Sequence, residues 1–421
     1  MKDYPYSFHI ALDGNGINGL EGMAGMCLFH FDPADNSYAY KVKYYDGASA
    51  GHACMVSPDG KHGYLGNAGQ HLLFYDAATI EEQERISTLR YEANDTTIRG
   101  STHVVWLSNK EVMTAIGDYF YKFSVDDLDK GERLMPHQVK LPHGMKVSAS
   151  GRYMAYGSMD NPTFREKGEA REIGILDLKT GEVTHLAMPT TCWHLVAHPK
   201  KDLFYAVSFR VLPQEYVDYH EWAMAFLKEY AYEIDPVEKR IARHWSASRE
   251  TPAHINSDIT ISDTELMFCN GGSQTIICVD LQTFSKFRVI DERPDFITQL
   301  KHPREVGTQI YDVLARGGIF SSSKHLLAAM RVSRFSFLDS IYACQLSKDQ
   351  SLLFTANRGL NHITVYNYPE ATVRLRVQMP ELHAFLPSLT TIADPRLGFH
   401  HSYLISPPVS PPVSAPTVAQ A

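Results

Sequence analysis

The sequence predicts an all-β chain: a seven-bladed β-propeller closed by its N- and C-terminal strands in one blade, with helical insertions capping one face. Three observations carry this expectation. An alternating apolar run that ends in Asp and a turn recurs along the chain, as "CLFHFDPAD" (Asp32), "LLFYDAAT" (Asp76), "YKFSVDDL" (Asp126), "IGILDLKTG" (Asp177), "YAYEIDPVE" (Asp235), "TIICVDLQT" (Asp280) and "ITVYNYPEA" (Asn367). Most copies are 44 to 58 residues apart, the length of a four-stranded blade, and the last gap is longer. A second phrase, an apolar strand ending in a polar turn, also occurs seven times: "ACMVSPDG", "VVWLSNKE", "GMKVSASG", "HLVAHPKK", "DITISDTE", "YACQLSKD" and "SYLISPPV".

Taken in order, each run justifies a strand. The runs have period-2 character, are rich in Val, Ile, Tyr and Phe, and are bounded by Gly, Asp, Asn or Ser, as antiparallel strands require. The second phrase supplies the innermost strand of each blade and the turn into the next. Its last copy follows the outer strands of the final repeat, whereas the N-terminus opens on a second strand, "SFHIALDG". The two ends are therefore expected to share one blade. One propeller domain is expected over 1–406, with helical lid insertions at about 211–230 and 292–340 and a disordered Pro/Ser-rich tail at 407–421.

Composition bounds the function. The 421 residues carry a formal charge of −8, with 40 Lys plus Arg against 48 Asp plus Glu, and no basic run, so nucleic acid and anionic membranes are not expected partners. No apolar stretch approaches the ~20 residues of a membrane span, and none near the N-terminus reads as a leader. The six cysteines lack C-x-x-C spacing and sit in strand-like runs, which predicts reduced, buried thiols and a cytoplasmic protein. The expected partner is a small-molecule substrate, with the oligomeric state left open.

The candidate site comes from the repeat itself. Aligned on the turn residue and read five positions back, the inner strands present His52, His103, His143, Trp193, Ser257, Tyr342 and His401. Four of the seven are His, from four consecutive blades if the last copy closes against the first. Equivalent positions on innermost strands form a ring about the propeller axis, and neutral imidazoles converging there suit Zn, Cu, Fe or Ni. The alternative is that each His is a hydrogen-bonding device between blades. His52, His103, His143 and His401 are the candidate metal ligands, with His254, three residues upstream of Ser257, or His194, one residue off register, as a fifth ligand or acid–base group. Tyr342 and His194 are the candidate catalytic residues. His400 should point to the opposite strand face from His401. The insertions, "GNGINGLEGMAG" (14–25) and 159–172 among them, fall at the face carrying these histidines and should form an aromatic lid.

Two resemblances accompany these residues. "FTANRGLNHITVYNY" (354–368) resembles the YVTN-type repeats of lactonase-like propellers, which implies architecture and is nearly silent about activity. The histidine arrangement, with "GFHH" (398–401), is similar by analogy to the carotenoid-cleaving oxygenases, seven-bladed propellers with four axial His around iron; their second-shell Glu residues and His spacing are not reproduced. The expected function is a metal-dependent enzyme, with non-haem iron, or else copper or manganese, and oxygenase or oxidase-type chemistry on a small, partly apolar or aromatic substrate. The alternatives are a metal-dependent lyase or isomerase, similar to the oligogalacturonate lyases, and a metal-free lactonase-like or binding propeller.

Overall fold

The computed structural model describes residues 2–13, 23–48, 51–67, 71–88, 91, 103–139, 142–158, 171–208, 230–246, 256–270, 275–292, 341–389 and 395–407. These form twenty-eight strands in seven four-stranded antiparallel sheets, the blades of a seven-bladed β-propeller. Among the described residues the single helical feature is a 3-10 turn, Leu382–Ala384. The expected helical insertions and tail lie outside the described residues, apart from their edges.

Blades one to six run in chain order over residues 51–87, 104–136, 142–187, 192–246, 256–291 and 341–378. The seventh is composite. Its innermost strand, Phe399–Ile405, pairs antiparallel with Tyr6–Leu12 in a register that sets Ser7 opposite Ile405 and His9 opposite Tyr403. Met23–Asp32 and Ser37–Asp46 complete it. The closure expected from the two chain ends is thus realised. The seven innermost strands are Gly51–Val56, Val104–Trp106, Pro142–Val147, Cys192–Ala197, Asn256–Ile261, Ile341–Leu346 and Phe399–Ile405, and each packs against the next around a closed ring.

Burial explains why the inner runs are apolar on both faces. There are seven hydrophobic clusters, and each joins two neighbouring blades. Phe8 and Phe29 of the seventh blade meet Phe354 of the sixth, and Tyr64 and Phe74 of the first blade meet Val112 and Tyr121 of the second. A middle strand sandwiched this way needs apolar residues at every position. The fourth strands, such as Glu82–Ser87 ("EQERIS"), face solvent and turn polar. All six cysteines are free and buried, and burial pushes the thiols of Cys27, Cys54, Cys278 and Cys344 up.

The recurring Asp has a defined task. In six of the seven copies this residue, Asn367 in one, ends the third strand, and the carboxylate accepts backbone N–H groups of the following turn: Asp76 from Ala78 and Thr79, Asp177 from Lys179 and Thr180, Asp235 from Val237 and Glu238. Four residues after it the backbone adopts positive φ, at Asn36, Ile80, Gly181, Lys239, Phe284 and Ala371. The Asx turn and the left-handed residue together reverse the chain into the fourth strand. Asp280 holds Thr283 twice, through its N–H and its hydroxyl, both at 2.7 Å. Asp280→Ala should therefore lower stability by about 1 kcal/mol, read as a fall in the urea midpoint at unchanged slope.

Candidate metal centre

Innermost strands begin at one rim of the ring. Second strands end there, since Gly51 lies opposite Asn67, Pro142 opposite Ser158, Cys192 opposite Ser208 and Ile341 opposite Asn357. The stretches read as a lid leave from this same rim, at Asp13, Ser158, Ser208 and Glu292, and lie almost wholly outside the described residues.

At this level six of the seven innermost strands carry a β-bulge. His52, Trp193 and Tyr342 are each an extra residue without a partner across the ladder, between paired Gly51 and Ala53, Cys192 and His194, and Ile341 and Ala343. In the other three, two residues oppose one: His143 and Gly144 face Gly157, Ser257 and Asp258 face Cys269, and His400 and His401 face Ala11. His103 immediately precedes its strand. Six of the seven aligned positions are bulge positions. A bulge cancels the strict alternation of a strand and re-aims side chains. His400 and His401, adjacent in sequence, fall in two neighbouring groups: His401 with His103 and His194, and His400 with His52 and Asp13.

The cluster holds six imidazoles. One ring nitrogen each from His103, His194 and His401 lie within 4.8 Å of one another, and all three residues are buried. His143 adjoins them, its ring 4.7 Å from that of His103 and 5.1 Å from that of His194. His52 sits on the other side, stacked on His400 at 4.7 Å and 6°, and a nitrogen of each groups within the same limit with a carboxylate oxygen of Asp13. Of the candidate ligands, the structure thus brings His103, His143 and His401 together, adds His194 to them, and places His52 in the second group; His254 lies outside the described residues. Tyr342 is buried beside His400, their rings 5.0 Å apart, and burial raises its phenol.

Each imidazole is held neutral. Burial is the largest cause that lowers His52, His103, His143, His194, His400 and His401, with His143 brought down to about 3, and neighbouring imidazoles add to it for most of them. Three have their tautomers set from outside. His400 Nδ1 donates to the His52 carbonyl at 2.7 Å and His143 Nδ1 donates to the Trp193 carbonyl at 3.3 Å, because a carbonyl only accepts. His401 Nε2 faces Asp258 Oδ1 at 3.2 Å. That leaves the lone pairs on His143 Nε2 and His401 Nδ1, and neither atom has a hydrogen-bond partner among the described residues. Buried, neutral, outward-anchored imidazoles with unused inward nitrogens are the donor set a transition-metal ion requires, so these residues fit one.

Asp258 is the functional residue that register reading missed. It is fully buried, and it also accepts from the Ser402 hydroxyl at 2.8 Å and from the Ile259 and Cys344 N–H groups. Burial pushes its carboxyl up to about 6, against these bonds and the Lys146 ammonium, which is itself lowered by burial. Asp258 is the partner of Ser257 in a bulge, one residue off register, and supplies a carboxylate behind His401.

No protein-family model matches the chain. A search of curated proteins finds no relative. Among solved structures the chain is similar to Kuenenia stuttgartiensis hydrazine synthase, with a TM-score of 0.51 at 10% identity over 78% of this chain and 87% of that one. It is also similar to the dihydro-heme d1 dehydrogenase NirN in complex with DHE (TM-score 0.49, 9% identity, 90% and 74% covered) and to the WD40 domain of Neurospora crassa Pan2 (TM-score 0.46, 10% identity, 75% and 75% covered). At such identities the likeness is one of fold, and the fold is a β-propeller. No described helix is long and apolar enough to cross a membrane.

Proposed function

We propose that this propeller is a metal-dependent oxidoreductase whose centre lies on the ring axis, held by His103, His194 and His401 with His143 alongside. The observation that carries the reading is the convergence of three neutral, buried ring nitrogens within 4.8 Å, one of them backed by the buried Asp258 carboxylate. Iron or copper there would supply one-electron redox and Lewis-acid chemistry. The chain's own residues would orient the ligands through Asp258 and the Trp193 carbonyl, exclude water by burial, and present Tyr342 and the His52–His400 pair towards a small substrate. The reading includes a cytoplasmic setting, supported by six unpaired thiols, and kinship with the YVTN-type lactonase-like propellers, supported by the repeat phrase. Three buried imidazoles whose ring nitrogens converge within 4.8 Å, with a carboxylate behind one of them, exceed what a hydrogen-bonding device between blades needs. Manganese in the same site would instead favour lyase or isomerase chemistry.

The test is metal content by plasma mass spectrometry on protein purified without an affinity metal. About one equivalent of iron or copper is the expected result. Protein that is metal-free and refuses added iron, copper, manganese and zinc would overturn the proposal.

A further inference from the structure

Beside the histidine cluster stands a buried cation whose hydrogen-bonding fork is unused among the described residues. Arg358 follows the second strand of the sixth blade, Leu352–Asn357, and so emerges at the histidine rim. Its side chain is 2% exposed, and neither Nη1 nor Nη2 has a hydrogen-bond partner among the described residues. The guanidinium lies over the Tyr342 ring, 5.3 Å from its centroid, and Tyr342 in turn adjoins His400. Its charge reaches His52 and His400, lowering both. Asp13, the carboxylate grouped with His52 and His400, supplies no hydrogen bond to it.

A fully buried guanidinium with an unused fork is costly unless something pairs with it. The other buried arginine among the described residues, Arg396, donates to the Gly359 carbonyl, and two half-buried ones are paired as well: Arg243 with Glu233 and the carbonyls of Leu281 and Gln282, and Arg288 twice with Glu265. Arg358 differs from them in both terminal nitrogens. The planar fork of an arginine fits a carboxylate through two parallel N–H···O bonds, and the Tyr342 ring beneath it leaves the edge of the guanidinium to a ligand. We infer that Arg358 is the receptor for the carboxylate of an organic acid substrate, whose remainder is held against Tyr342 and the His52–His400 stack, next to the centre. This deepens the proposed function and rests on it for the word substrate; the carboxylate site itself stands on Arg358.

The experiment uses the full chain, with Arg358→Met and Arg358→Lys variants, and titrates each calorimetrically with sodium benzoate, its neutral analogue benzamide, acetate and inorganic phosphate. Benzoate should bind the parent and raise its melting temperature, with benzamide and phosphate at least tenfold weaker. Arg358→Met should lose at least tenfold in benzoate affinity, retain the parent's metal content, and without ligand melt above the parent, because methionine removes an unpaired buried charge. Arg358→Lys keeps the charge without the fork and should bind benzoate more weakly than the parent, which preserves the test if the methionine variant does not fold. Benzoate binding equally well to parent and variants, tighter binding of phosphate or benzamide, or no binding of either carboxylate by the parent would each overturn the inference. Parent protein that binds benzoate through Arg358 yet carries no metal would leave the carboxylate site standing and remove the oxidoreductase reading.

Discussion

A chain in which His103 and His194 are both alanine should purify with metal at background, while its circular dichroism and cooperative melting remain those of a propeller. Two of the three converging nitrogens are gone, and the affinity left by His401 and His143 should be lower by about three orders of magnitude or more. The fold should survive because neither residue belongs to any of the seven interblade clusters that hold the ring together. In the same assay Asp258→Asn should cost about 10–100-fold in metal affinity, since it keeps an acceptor near His401 Nε2 but removes the charge that makes the imidazole a better donor. A double variant that keeps its full equivalent of metal would place the ion elsewhere.

The second large effect is acid lability of the metal-free protein. Each imidazole of the cluster is lowered on folding, and so is His9, which burial brings to about 3. An imidazole whose value falls on folding stabilises the native state above its unfolded value, near 6.5, and that stability is lost as the pH drops below it, because the unfolded chain then binds the extra proton. The slope is about 1.4 kcal/mol per pH unit for each histidine, so His143 alone contributes about 5 kcal/mol between pH 6.5 and 3. Asp258 acts in the opposite sense. Its value is raised to about 6, so it favours the folded state at low pH and loses that contribution as the pH rises through 6. One carboxyl offsets one imidazole, and the remaining ones decide the sign. Urea midpoints measured without metal at pH 7.5, 6.5, 5.5 and 4.5 should be nearly level over the first step and fall steeply over the next two. A flat profile to pH 5 would show that the imidazoles are not held neutral by the fold.

The propeller was legible because its signal is repeated seven times, and a blade sandwiched between two others writes the same apolar alternation each time. The terminal closure was legible for the same reason, as "SFHIALDG" lacks an inner strand before it and "SYLISPPV" lacks outer strands after it. The ring position was also legible, since the turn serine anchors the count: the Ser57, Ser108, Ser148, Ser262 and Ser347 hydroxyls accept from the first residue of the next strand in five blades. What could not be read was the bulge. An extra residue leaves no mark on period-2 patterning, so His194 was read as one residue off register, His400 was placed by strict alternation, and Asp258 was not singled out. Asp13 was obscured differently, because it lies just past the end of a second strand and shares no register with the inner strands.

The composite blade has a consequence in time as well as in space. Every other blade can assemble its four strands before Phe399 is made, but the strand Phe399–Ile405 is the twenty-eighth and last, and it carries both His400 and His401. A nascent chain stalled short of it has an open ring, with Tyr6–Leu12 unpaired along one edge, and only two of the three converging nitrogens. Closing so long a loop is slow relative to forming a local hairpin. Metal capture at the proposed centre would therefore wait on this strand, and an occupied centre would mark a chain whose translation has run through to ring closure.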